Sequence, residues 1–308
     1  MTATREDERA GAIEHFEDGA LYDHEYRRRR DDVRFYRALA AERGGPVLDL
    51  ACGTGRLMLP LLRDGHLVVG LDHAPAMLAR AAAKIARLPA AARARALLVR
   101  ADLRRFAFRR LTSAAGAPPA ARRWPAPVRF ALAVAAFHSV QHLITDRDLL
   151  AFLRAARRAI APHGWLAFDV FAPEARFLER DEDRRWERTR LRDPSTGARL
   201  IYTVNHRFDR RRRTLLMRMY YLPVDGRGRP VGPERVLRLC HRQLSVTEVR
   251  ALLDRAGLRL IASWSDFAGS PLRQAGAKDG AKDGAKDGTK DGEMFGASEQ
   301  HVYLAKPR

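Results

Sequence analysis

The chain has only two cysteines in 308 residues, Cys52 and Cys240, so it can form one disulfide at most. With neither a CxxC pair nor a Cys/His cluster it offers no ligand set for structural zinc, and no metal is expected. Both thiols read as reduced. No run of about 18 apolar residues occurs, which excludes a hydrophobic membrane-spanning helix. The charge-dense N-terminal stretch does not resemble a signal peptide, so the expected location is cytoplasmic. Lysine is scarce as well: there are six, four of them in one short repeat, although Lys plus Arg reaches 57 against 37 for Asp plus Glu. The formal charge of +20 points to a polyanionic partner. The excess is nearly all arginine, however, and it accompanies abundant alanine, the pairing that a GC-rich coding sequence produces. Nucleic acid is therefore disfavoured as a partner.

What is present suffices for a folded enzyme, with 46% hydrophobic and 31% charged residues. The length fits one enlarged domain or a domain with an insert. Residues 21–43 carry Tyr22, Tyr26, Val33, Phe35, Tyr36 and Leu39 at roughly helical spacing, which predicts one leading helical region. From VLDLAC onward, short apolar runs alternate with helical segments: HLVVGLD, ALLVRAD, VRFALAVAAF and HGWLAFDVF follow as further strands. Five strands alternating with helices imply a mainly parallel sheet. Between 184 and 244 the pattern changes to alternating segments broken by turn signals, read as three or four antiparallel strands. Ser245 and Glu248 then form a capping-box pattern, and LRLIASWSDF and QHVYLAKP supply two last strands. The predicted layout is a helical cap over 1–45, a core over 46–183, an antiparallel insert over 184–244 and the end of the core over 245–308. A flexible loop over 275–292 contains the AKDG repeats, which have a glycine every four residues and no apolar face.

The strongest chemical signal is VLDLACGTGRL at 47–57, an apolar strand running into a glycine turn and a helix. A dinucleotide fingerprint needs a third Gly or Ala three positions after Gly55, but Met58 stands there, which disfavours a nicotinamide enzyme. The acidic-x-Gly-x-Gly-x-Gly pattern, here Asp49-Leu50-Ala51-Cys52-Gly53-Thr54-Gly55, resembles the first motif of the class I S-adenosylmethionine-dependent methyltransferases, with Ala51 departing from the first glycine. The resemblance implies a Rossmann-like sheet of seven strands with helices on both faces, S-adenosylmethionine as cofactor and methyl transfer as activity. It places Asp49 at the methionine amino group and Ala51, Gly53 and Gly55 under the methionyl and ribose parts. Cys52, Thr54 and Arg56 belong to the same cofactor-binding stretch. Asp72 closes the second strand, where one carboxylate can accept hydrogen bonds from both hydroxyls of a ribose. His73 and Met77 fall beside the adenine, and Asp102 with the Leu103 amide falls near the adenine amino group.

After the fourth strand, AVAAFHSVQHLIT contains no Asn-Pro-Pro-Tyr-like motif, which counts against methylation of base amino groups. It is similar instead to the Phe-x-Ser-x-x-His-Leu pattern of small-molecule methyltransferases, through Phe137, Ser139, His142 and Leu143. Phe137 joins the cofactor set, and His138 and His142 are the candidates for a base, because imidazole titrates near neutrality. The resemblance also lets Tyr22 and Tyr26 fold over the cofactor as a lid. The insert is expected to roof the acceptor pocket, with Trp186, Tyr202, His206, Tyr220, Tyr221 and Arg238 as candidate lining residues. The expected function is N- or O-methylation of a small organic acceptor. The competing readings are an RNA-modifying methyltransferase of the same fold, motivated by the runs Arg27 to Arg30 and Arg210 to Arg213, and a non-catalytic nucleic-acid-binding relative. The acceptor and the oligomeric state are not legible in the sequence.

Overall fold

A computed structural model describes residues 10, 11, 13–108, 128–272 and 300–308. The AKDG repeats and the Ala-, Pro- and Gly-rich connection at 112–127, between the third and fourth strands, lie outside the described residues. The leading region is not one helix but two, α1 (Gly19–Glu25) and α2 (Asp31–Arg43). Asp18 starts the first by accepting from the Ala20 and Leu21 amides. The break between them turns Tyr26 and Arg29 inward, where both rest against the Phe137 ring.

Next come β1 (Val47–Leu50), α3 (Met58–Arg63), β2 (Val68–Asp72), α4 (Pro75–Ala86), the short α5 (Ala90–Arg93), β3 (Ala96–Arg100) and β4 (Phe130–Ala135). Then follow α6 (Asp146–Ala159), β5 (Ile160–Phe171) and the short α7 (Ala175–Leu178). Thr145 caps α6 by accepting the Asp148 amide at 3.1 Å. The closing elements are α8 (Val246–Arg255), β10 (Leu258–Trp264) and β11 (Gln300–Pro307), and the Ser245/Glu248 capping box starts α8. Strands β1 to β5 are parallel in the order β3-β2-β1-β4-β5, and β11 and then β10 add antiparallel at the β5 edge. Strand alternation divides the core into two layers. Leu48, Val69 and Ala133 face α6 and α8, whereas Val47, Val68 and Leu132 face α2 and α3.

Met58 occupies the place where a dinucleotide fold needs a small residue, and the structure shows how the sheet accommodates it. A Cβ added at Gly70 of β2 would lie 2.8 Å from the Met58 sulfur and equally close to Cys52 Sγ. The space that a helix glycine would leave is thus supplied by a glycine on the strand opposite.

The insert is a four-stranded antiparallel sheet of β6 (Trp186–Arg192), β7 (Arg199–Asp209), β8 (Thr214–Val224) and β9 (Arg235–Arg242) in sequential order. Gln141 ties it to the core. The Gln141 amide nitrogen donates to the carbonyls of Phe171 and Arg242, and its oxygen accepts the Phe171 amide at 2.6 Å. One buried side chain therefore holds the end of β5 against the end of β9. Among the described residues, no helix is long and apolar enough to cross a membrane.

Candidate active site

The strand order reverses between β1 and β4, and open α/β sheets bind ligands beyond the carboxyl ends of their strands at such a point. A cavity of about 270 Å³ lies there. Its walls include Asp49 from β1, Ala51 and Gly53 from the following turn, Asp72 from β2, Asp102 after β3 and Ala136 to Ser139 after β4.

The turn after β1 is built on Asp72, whose two oxygens accept the Gly53 amide at 2.8 Å and the Ala74 amide at 2.9 Å. Each oxygen retains a second lone pair, so the carboxylate can still receive the two hydroxyls of a ribose. Ala51 lies in the left-handed region with φ 57° and Gly53 with φ 54°. The departure from glycine at 51 thus strains the backbone. Ala51→Gly should stabilise the protein by roughly 1 kcal/mol, the cost of holding an L side chain in that region. A melting temperature that stays level or falls would contradict this reading.

Asp49 is 2% exposed and accepts the Met58 amide at the start of α3, while its Oδ2 is buried with no hydrogen-bond partner. Burial pushes this carboxyl up to about 7, against the pull of Arg56 and with the help of Asp72. An unpartnered acceptor in the cavity wall is what a bound ammonium group would complete. Asp102 is differently placed. It is half exposed and already held by Arg104, whose Nε and Nη2 donate to its two oxygens, and Arg104 also reaches Asp148 at 3.2 Å. The sequence reading gave Asp102 to an adenine amino group and did not anticipate Arg104.

Opposite the aspartates, Phe137 and His138 both sit at positive φ, 61° and 60°. Two successive non-glycine residues in that region are costly unless their surroundings hold them. Asp169 of β5 does so, accepting the Phe137 amide at 2.9 Å, the His138 amide at 3.0 Å and the Tyr36 hydroxyl at 2.6 Å. Phe137 is thereby presented to the guanidinium groups of Arg29 and Arg56, at 4.8 and 4.7 Å from its ring centre. Arg56 pairs with the buried Asp32.

Four histidines gather around this wall. His138, a candidate base, bonds Gln300 of β11 through Nε2 and lies 3.5 Å from Asp169. His142 meets His241 of β9 ring to ring at 4.7 Å, and His15 joins Tyr26 at 3.1 Å. Burial lowers His15 and His138 to about 3 and His142 to about 4, so all three stay neutral near pH 7. Among the described residues, no three such side chains are placed to hold a metal ion. His142 bonds the Cys240 backbone, an interaction that raises its pKa and therefore has the ring donating to the carbonyl. Its Nδ1 is buried without a partner, so in the neutral tautomer that atom bears the free lone pair.

Of the residues singled out in the sequence, Tyr22, Asp49, Ala51, Cys52, Gly53, Arg56, Asp72, His73, Met77, Asp102, Leu103, Phe137, His138 and His142 all line this one cavity. Thr54 and Gly55 do not. The Thr54 hydroxyl donates to Asp23 at 2.6 Å, pinning α1 to the glycine turn, and Gly55 packs towards Leu59 and Ala81. None of the six candidate insert side chains lines it either. Arg238 pairs with Glu14, Tyr221 donates to Glu25, and His206 stacks on Phe177. The insert contributes Leu239 and His241, which share one face of β9 while Arg238 lies on the other. His15, Asp169 and Gln141 went unnoticed because nothing local marks a core residue as a partner of a distant turn.

Residues 47–115 match a family described as "Methyltransferase domain". The protein YqeM of Bacillus subtilis (strain 168) is 28% identical over 147 residues, 45% of this chain and 51% of YqeM, so the match spans about half the length of that relative. Among solved structures, the CcbJ methyltransferase from Streptomyces caelestis superposes with a TM-score of 0.66 at 18% identity, over 96% of this chain and 98% of that one. CalS10, an amino pentose methyltransferase from Micromonospora echinaspora, gives a TM-score of 0.61 at 19% identity over 94% and 97% of the two chains. At these identities the superpositions establish the fold. Residues 47–115 thus carry a match to a methyltransferase domain, within a fold similar to that of solved S-adenosylmethionine-dependent methyltransferases.

Proposed function

We propose that the chain transfers the methyl group of S-adenosylmethionine to a nitrogen or oxygen of a small organic acceptor. The observation that carries this reading is the single cavity in which the unpartnered Asp49 oxygen, the Asp72 carboxylate and a wall of aromatic rings and neutral histidines meet. When bound, S-adenosylmethionine supplies a methyl on a positively charged sulfur, open to in-line displacement. Asp49 holds the ammonium group, Asp72 receives the ribose hydroxyls, and Met77 with Leu103 flanks the base. Tyr22, Tyr26 and Phe16 close the N-terminal side and exclude water. His142 Nδ1, kept neutral by burial, accepts the N–H or O–H of the acceptor and so aims its lone pair at the methyl. That CalS10 is an amino pentose methyltransferase agrees with an acceptor of this size.

Transfer of labelled methyl to a panel of amines, phenols and sugars tests the activity. With an acceptor in hand, His142→Gln should lower kcat by roughly 10- to 100-fold and leave cofactor affinity intact. Unchanged kcat would remove His142 from the chemistry.

The cofactor affinity should also depend on pH with a definite sign. Asp49 must be ionised to hold the ammonium, so affinity should fall roughly tenfold per unit as pH drops below about 7. Above about pH 8 the ligand's own α-amino group loses its charge, giving a maximum between the two values. Calorimetric dissociation constants across this range would refute the assignment if affinity stayed flat or rose towards acid pH.

A further inference from the structure

A second recess of about 930 Å³ runs between the end of α1 and the edge strand β6 of the insert. Six arginines line it: Arg27, Arg28, Arg188, Arg190, Arg192 and Arg199. Its two acidic residues do little to balance them. Burial raises Glu25 to about 8, so that much of it is uncharged near neutral pH, and Asp225 is paired with Arg229. Register places Arg192 directly opposite Arg199 across the strand pair, a like-charge juxtaposition that costs stability. Gly226 leaves room for it, since a Cβ there would lie 3.1 Å from the Arg199 guanidinium. Leu191, Leu200 and Tyr202 supply an apolar part of the lining. Tyr26 lines both this groove and the cavity with the histidines, so the two spaces share a wall.

We propose that this groove binds a phosphate or diphosphate group carried by the methyl acceptor, which would extend past Tyr26 to place its nitrogen or oxygen in the neighbouring cavity. This rests on the methyl-transfer reading for the acceptor's role, although the anion site itself does not. Guanidinium forks match phosphate oxygens in pairs, which suits a groove built from arginine and not lysine. A small ligand is favoured over a nucleic-acid strand because all six arginines border one recess bounded by α1 and the insert.

The test is calorimetric titration of the full chain with inorganic pyrophosphate, set beside the variant Arg190→Gln/Arg192→Gln/Arg199→Gln. S-adenosylmethionine is titrated into both proteins. The expected result is saturable pyrophosphate binding that weakens at least roughly tenfold in the variant, with cofactor affinity equal in the two. Absent pyrophosphate binding, or binding undiminished in the variant, overturns the groove while intact cofactor binding leaves the methyltransferase reading standing. Failure of cofactor binding in the parent protein removes the acceptor's role whatever pyrophosphate does. A short single-stranded RNA that binds far more tightly than pyrophosphate, with steep salt dependence and loss in the variant, overturns the small acceptor in favour of nucleic acid.

Discussion

Asp49→Asn should weaken S-adenosylmethionine binding by on the order of a hundredfold, about 3 kcal/mol, without lowering the melting temperature. The two halves of this expectation have one cause. The Asp49 carboxyl is buried, one of its oxygens lacks a partner, and burial pushes it up to about 7, so the fold supports the charge poorly when the cavity holds no cation. Asparagine keeps an acceptor for the Met58 amide and removes the charge that the fold does not satisfy. A bound ammonium group would lose a charge-assisted hydrogen bond in a nearly dry site, where such bonds are strongest. Calorimetry paired with thermal unfolding checks both halves. Equal affinity in the variant would mean that Asp49 serves the fold alone.

Asp169→Ala should produce the largest loss of stability of any single change in the site, about 3–5 kcal/mol by urea unfolding. It strips the acceptor from three donors at once: the Tyr36 hydroxyl and the amides of Phe137 and His138. Buried donors left unsatisfied cost about 1–3 kcal/mol each, and the sum is tempered by relaxation of the turn. That relaxation has its own consequence. Phe137 and His138 hold positive φ only because Asp169 grips their amides, so the aromatic wall should lose its place and cofactor affinity should fall with stability. Asp169→Asn, which keeps one acceptor oxygen, should lie between the parent and the alanine variant. A variant that unfolds at the parent's urea midpoint would show that the turn does not depend on this carboxylate.

The parallel core was legible because its strands are short apolar runs that alternate with helical segments. Asp49, Asp72 and Asp102 were found by their place at strand ends, which is a local property. Their partners were not local. Arg104 lies two residues from Asp102, yet only coordinates show its guanidinium on that carboxylate. Asp169 lies in the strand run HGWLAFDVF, where a charged residue gives no hint that its acceptors serve a turn some thirty residues earlier. The insert was legible as antiparallel strands, but alternation defines two faces without saying which one the core will cover. On β9 the choice fell on Arg238, whereas His241 on the other face reaches the cavity. The leading helix was read as continuous because nothing in propensity marks Tyr26 to Arg30 as a break; packing of Tyr26 and Arg29 on Phe137 decides it.

The measurement that bears most directly on this account is calorimetric titration of the full chain with S-adenosylmethionine and its demethylated product near pH 7.5, where Asp49 is mostly ionised and much of the ligand amine still charged. The account predicts saturable one-to-one binding of both, with dissociation constants of order micromolar. No binding of either compound by folded protein would contradict it, and the cavity at the carboxyl edge of the sheet would then need another ligand.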